Sequence, residues 1–155
     1  MDLEVTIKVK RVRVQSNSAC YRLPAYATRG SAGLDLQACL NNPLAVAPGD
    51  RALVPTGLAI EMPHGNMVGL VFIRSGLAAK HGLSLANAVG VIDSDYKGEI
   101  YIPVINQGDK EYIIHPGERI AQLVFVPVIK AVLQEADELS STQRGSGGFG
   151  STGTF

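Results

Sequence analysis

The chain has 155 residues, enough for one domain with a substantial core and no covalent staples. Fourteen Lys plus Arg balance fourteen Asp plus Glu, so there is no bulk positive field to gather nucleic acid, and a phosphate ligand has to be held locally. Cys20 and Cys39 stand in no metal-ligand spacing and fit a reduced, intracellular chain.

The opening MDLEVTIKVK has neither the charged n-region nor the apolar h-region of a signal peptide. Leu3, Val5, Ile7 and Val9 alternate with polar residues, and the alternation then slips by one to Val12 and Val14, which predicts an exposed-face strand with a bulge or register change. Further along, apolar runs are cut at short intervals by turn chemistry: PGD at Pro48, PHGN at Pro63, DSDYKG at Asp93, NQGDK at Asn106 and HPGER at His115. The spacing reads as antiparallel β throughout. Pro48 to Arg51 and Pro116 to Arg119 look alike, which we take as repeated turn chemistry rather than an internal repeat.

No window carries a long 3.6-residue apolar period, and one short helix is expected over Gly76 to His81, after Arg74 and Ser75. Pro55, Pro103 and Pro127, inside strand-like runs, argue for strand edges, bulges or ends. The longest apolar stretch, Ile120 to Val128, is far too short to span a bilayer. Many short strands with frequent turns fit an all-β sandwich, jelly roll or barrel in one domain. The expected location is cytoplasmic, with no membrane and no nucleic-acid partner.

After Leu133 the chain turns polar and loses its strand pattern, so the core is expected over residues 1–139 and a flexible, Gly-rich C-terminal arm over 140–155. The composition of Arg144 to Thr154 fits a disordered tail. It also allows a phosphate lid, because its five glycines free the backbone to turn N–H groups toward one anion. Arg144 adds a cation and Phe149 a flat apolar ring.

Three polar islands interrupt the strands. In AGLDL, Asp35 sits between two leucines, where an unpaired carboxylate is costly to bury; it either faces solvent or has a partner. In RSGLAAKHG, Ser75 reads as an ordinary helix N-cap, and the same helix start with Arg74 reads as an anion site. In NAVGVIDSDYKGEI, Asp93, Asp95, Lys97 and Glu99 crowd one turn, and a solvated hairpin is the simplest account. Asp93 also follows an apolar run and stands near Tyr96, as a general base at a pocket wall would. Gln122 is alone among apolar residues and is either a core exception or a ligand contact. His64, His81 and His115 form no metal motif, and no Walker A pattern occurs.

In order, AGLDL, RSGLAAKHG, NAVGVIDSDYKGEI, GERIAQLVF and RGSGGFGSTG resemble the five motifs of the trimeric dUTP pyrophosphatases (dUTPases). The resemblance runs from about Ala32 to Gly153. It implies a β jelly roll forming a homotrimer, with active sites shared between subunits and the arm of one subunit closing over another's substrate. It makes Asp93 the carboxylate that activates water at the α-phosphorus of dUTP and Tyr96 the ring that packs on the deoxyribose. Asn87 and the backbone of Gly90, Val91 and Ile92 would read the uracil edge. Arg74, Ser75, Gly76 and Gln122 would hold the phosphates, with Lys97 also at the substrate and Asp35 and Asp95 in support. Arg144, Ser146, Gly147, Gly148, Ser151 and Thr152 would close over the triphosphate while Phe149 stacks on uracil. The reaction implied is hydrolysis to dUMP and pyrophosphate, which supplies thymidylate synthesis and keeps uracil out of DNA. Mg2+ is the implied cofactor, held by the triphosphate and waters rather than by protein ligands.

Two rivals stand beside this reading. The dCTP deaminases share fold and nucleotide, but the family carries RSS where this chain has RSG at Arg74 to Gly76, and no surplus Glu stands at a suitable position. A non-catalytic β trimer would have lost the water-orienting carboxylate or the tail, and this chain keeps both.

Overall fold

A computed structural model describes residues 4–13, 22–149 and 151. In chain order its strands are β1 (Lys8–Arg11), β2 (Leu34–Gln37), β3 (Leu44–Val46), β4 (Arg51–Pro55), β5 (Leu58–Glu61) and β6 (Met67–Ile73). Helix α1 (Ser75–His81) follows, then β7 (Leu83–Leu85), β8 (Gly90–Ile92), β9 (Tyr101–Asn106), β10 (Tyr112–Ile114) and β11 (Arg119–Pro127). The expected all-β architecture with one short helix is what forms. Among the described residues the strands make a four-stranded sheet ordered β2-β11-β6-β8, a three-stranded sheet β4-β9-β7 and the pairs β1-β5 and β3-β10, without a closed barrel. Every pairing is antiparallel.

Alternation builds the core. In β9, Ile102, Val104 and Asn106 turn inward while Tyr101, Pro103 and Ile105 do not, giving the period of two that one buried face demands. Leu36, Val46, Val54, Ile114 and Ile120 meet the β9 residues in one cluster, and each fully buried aliphatic side chain contributes about 1.5–3 kcal/mol of transfer free energy. Asn106 is the polar residue on the inward face of β9. Its side-chain amide donates to the carbonyls of Val46 and Lys110, both at 2.8 Å, and its carbonyl accepts from the Gly108 N–H at 2.9 Å. A buried amide satisfied this way pins β9 to β3 and to the following turn.

The two similar segments are indeed equivalent turns. Asp50 N–H bonds Ala47 carbonyl at 3.0 Å and Glu118 N–H bonds His115 carbonyl at 3.1 Å, with Gly49 at φ 83° and Gly117 at φ 77°. Proline followed by a positive-φ glycine is the type II pattern.

Three expectations need correction. Pro103 lies in β9, the central strand of its sheet, not at an edge. Its carbonyl accepts from Ala86 N–H just beyond the last β7–β9 pair, so its missing donor faces the point where that ladder ends. Ser75 is not the N-cap of α1: Arg74 occupies that position with extended backbone (φ −69°, ψ 135°), and no side chain caps the helix. The apolar pattern that continues to Leu133 forms no strand past Pro127, and Ile129, Val132 and Leu133 are 93–97% exposed. Leu3, Val14 and Cys20 lie outside the described residues.

Candidate active site

The register of the four-stranded sheet assembles a polar cluster. Residues 119 and 122 would face opposite sides of a regular strand, but β11 bulges between Arg119 and Ala121, so Arg119 pairs with Gln37 while Gln122 pairs with Asp35. Both side chains therefore reach Asp35. Arg119 Nη1 lies 2.9 Å from Asp35 Oδ2, Gln122 Nε2 lies 3.4 Å from Oδ1, and Arg74 Nε approaches Oδ1 at 3.3 Å. Asp35 is 6% exposed, so of its two possible environments the buried, partnered one is real. Two guanidiniums on one carboxylate leave a net positive charge, and Arg74 is anchored again by Nη1 to the Arg119 carbonyl at 3.4 Å. Arg119 carried no signal of its own in the sequence, since the bulge that turns it inward depends on the partner strand.

Arg74, Ser75, Gly76 and Gln122 line one cleft of about 260 Å³, together with Leu77, Lys80 and His81. The structure thus brings the four expected phosphate residues together and adds two side chains from the end of α1. The His81 ring packs on Tyr112 at a centroid distance of 4.8 Å, and Tyr112 donates its hydroxyl to Glu118. Burial, then that bond, raises the Tyr112 phenol to about 12.

A second cleft of about 250 Å³ opens at the other end of the sheet, where edge strand β8 meets β6. Asn87, Gly90, Val91, Ile92, Asp93 and Tyr96 line it, as do Glu99 and Tyr101. Asn87 and Val89 flank Ala88, which sits at φ 61° with the Val89 N–H on the Asn87 carbonyl at 2.7 Å, a tight γ-turn that is unusual for a non-glycine residue. Tyr96 is held by its own hairpin: its hydroxyl donates to the Glu99 carbonyl at 2.8 Å, and its ring lies so close over Gly98 that a Cβ there would stand 2.5 Å from the hydroxyl oxygen. Gly98, Glu99 and Tyr101 are therefore part of this wall, and residue chemistry alone marks none of them as such.

Lys97 points away, its ammonium on the Ser94 carbonyl at 3.1 Å, and it does not line the cleft. Asp95 belongs to a neighbouring depression with Asp93 and Ser94. The described part of the arm lines neither cleft. Arg144 Nε donates to the Gly147 carbonyl at 2.9 Å within the arm, Phe149 is fully exposed, and Ser146, Gly148 and Ser151 touch neither cleft lining. Thr152 lies outside the described residues.

Among the described residues no three His, Cys, Asp or Glu side chains converge as a metal cage, and Asp35, the buried carboxylate, is already occupied by two arginines. Among the described residues no helix is long and apolar enough to cross a membrane.

The family model that matches is dUTPase, over residues 20–153. The chain belongs to the dUTPase family. The deoxyuridine 5'-triphosphate nucleotidohydrolase of Desulfitobacterium hafniense (strain DSM 10664 / DCB-2) is 55% identical over 148 residues, covering 96% of this chain and 97% of its own. The solved dUTPase of Staphylococcus bacteriophage 80alpha with dUPNHPP matches at TM-score 0.83 and 30% identity, covering 96% of this chain and 99% of the phage protein. A mutant dUTPase from phage phi11 of S. aureus, which coordinates a structural Mg(II) ion, matches at TM-score 0.74 and 25% identity over 88% of this chain and 99% of its own.

Proposed function

We propose that this chain hydrolyses dUTP to dUMP and pyrophosphate by in-line attack of water on the α-phosphorus, with Asp93 as general base. Membership of the dUTPase family makes it a hydrolase acting on dUTP. The observation that carries the finer reading is that Asp93 lines the same cleft as Asn87, the Gly90–Ile92 backbone and Tyr96. That cleft offers an amide and backbone groups for a pyrimidine edge, an aromatic face for a sugar and a carboxylate at the rim. Buried groups arranged for the oxygen and N–H of uracil are left unpaired by cytosine, and such mismatches discriminate by up to about 10⁴–10⁵.

The phosphate chain goes to the other cleft, where Arg74 and Gln122 are aimed by Asp35. The two clefts of one chain share no lining residue. This supports a homotrimer in which Asp93 of one subunit faces Arg74 of the next, with the arm of a third closing over the triphosphate. Arg144 and the glycine N–H groups would meet the phosphates and Phe149 the uracil, and the polar stretch before them supplies reach. The donor set suits a Mg2+ ion that enters on the triphosphate, since phosphate oxygens and waters are its preferred ligands. When bound, the ion neutralises charge on the leaving pyrophosphate. In the cell, the activity would supply dUMP for thymidylate synthesis and keep uracil out of DNA, in the cytoplasm. Incubation with dUTP and Mg2+ tests the reading: dUMP and pyrophosphate should appear in equal amounts, and products of any other cleavage would refute it.

A further inference from the structure

Arg13 ties the wall of the Asp93 cleft to the N-terminal strand. Arg13 follows β1, and the Val12 N–H bonds the Gly57 carbonyl at 2.9 Å, so the backbone here is held against the turn before β5. From that position Arg13 Nε donates to Glu99 Oε1 at 2.6 Å, and Nη2 donates to the Tyr101 hydroxyl at 2.8 Å. The guanidinium carbon also sits 5.7 Å from the centre of the Tyr101 ring, within cation–π range. The same Glu99 oxygen accepts the Gly57 N–H at 2.9 Å. Glu99 and Tyr101 both line the cleft, and the Glu99 carbonyl anchors the Tyr96 hydroxyl.

We infer that Arg13 is a positioning residue for nucleoside recognition, fixing through Glu99 the tight turn on which Tyr96 stands. The inference rests on the reading of this cleft as the deoxyuridine site. The Glu99 carboxylate is 12% exposed, and Arg13 is the cation that pairs with it. Without Arg13, that carboxylate must either take up a proton or rotate toward water, and the cleft it lines opens to solvent. Rotation swings a negative charge toward Asp93 and the nucleotide and loosens the 96–99 turn. Tyr96 has no slack to absorb this, since its ring already lies against Gly98. A bond that looks like a strand anchor thereby sets how firmly the sugar-facing ring is held.

The experiment compares kcat and KM for dUTP and UTP in the full chain and in Arg13→Ala, Arg13→Lys, Tyr101→Phe and Arg13→Ala/Glu99→Gln. For Arg13→Ala we expect a rise of about tenfold in the dUTP KM, a smaller change in kcat and a fall of about tenfold in preference for dUTP over UTP, the scale of one charged hydrogen bond. Arg13→Lys should recover part of the preference. The double variant should recover more than Arg13→Ala, because it removes the unpaired charge. If Arg13→Ala does not fold, Tyr101→Phe and Arg13→Lys carry the test, each with a smaller loss in the same direction. Unchanged preference in folded variants, with the parent chain active on dUTP, overturns the inference and leaves the proposed function intact. A parent chain that does not turn over dUTP overturns both.

Discussion

Asp35 and Arg119 stand 84 positions apart in the chain, yet Arg119 Nη1 meets Asp35 Oδ2 at 2.9 Å because β11 bulges where it crosses β2. The carboxylate is shared with Arg74, so a single buried charge orients both guanidiniums. Asp35→Ala leaves two cations facing each other with no counter-ion. It should lower stability by about 3 kcal/mol in denaturant unfolding at matched protein concentration. Arg119→Ala should cost less, since its side chain is half exposed, but should still raise the KM for dUTP by releasing the carboxylate that aims Arg74.

Asp93→Asn keeps the shape of the cleft rim and removes the carboxylate proposed as its base. Turnover should fall by about 10²–10⁴ while binding of a non-hydrolysable dUTP analogue stays within a fewfold. Unchanged turnover would take Asp93 out of the chemistry.

How much of this was legible beforehand depends on what each residue needed from its surroundings. Turns declared themselves, because Pro48-Gly49 and Pro116-Gly117 carry their φ preferences locally. The short α1 was equally readable. Gln122 stood out as a polar residue in an apolar run, while Arg74 at a helix start and Asp93 in a charged turn stood out in the polar islands between strands. Arg119 did not, because its inward direction is created by a bulge against a distant strand. Arg13, Glu99 and Tyr101 looked like ordinary strand and turn residues; their meeting depends on the β1–β5 pairing, across 86 positions between Arg13 and Glu99. Pro103 misled for a related reason, since only the end of the β7 ladder makes it tolerable in a central strand.

Gly98 tests the wall of the Asp93 cleft through Tyr96, the ring proposed to face the sugar. A Cβ at this position would lie 2.5 Å from the Tyr96 hydroxyl oxygen and 2.6 Å from Cζ. Gly98→Ala should therefore displace the ring and narrow the preference for dUTP over UTP, with kcat for dUTP affected less than KM. Steady-state kinetics on both nucleotides would measure this; an unaltered ratio would mean Tyr96 does not read the sugar.

Acid stability should report on Glu99. Burial pushes its carboxyl upward, but hydrogen bonds from Arg13, the Tyr101 hydroxyl and the Gly57 N–H outweigh that and hold it below the ordinary 4.5. A depressed folded value contributes stability that is present above 4.5 and lost as pH falls through the folded value. Thermal unfolding across that range should show a steeper acid decline in the parent chain than in Glu99→Gln. Parallel curves would contradict this assignment.

Deleting the chain after Ser140 removes Arg144 and Phe149 without touching any strand. The truncated protein should keep its mass in solution as a trimer and lose most of its turnover. Dissociation into monomers would instead give the arm a structural role.

Pyrophosphate release from dUTP, dTTP, dCTP and UTP at matched concentration with Mg2+ bears most directly on the central claim. The account predicts rapid release from dUTP and at most slow release from the other three. Comparable rates on all four would contradict it, as would conversion of dCTP to dUTP with release of ammonia.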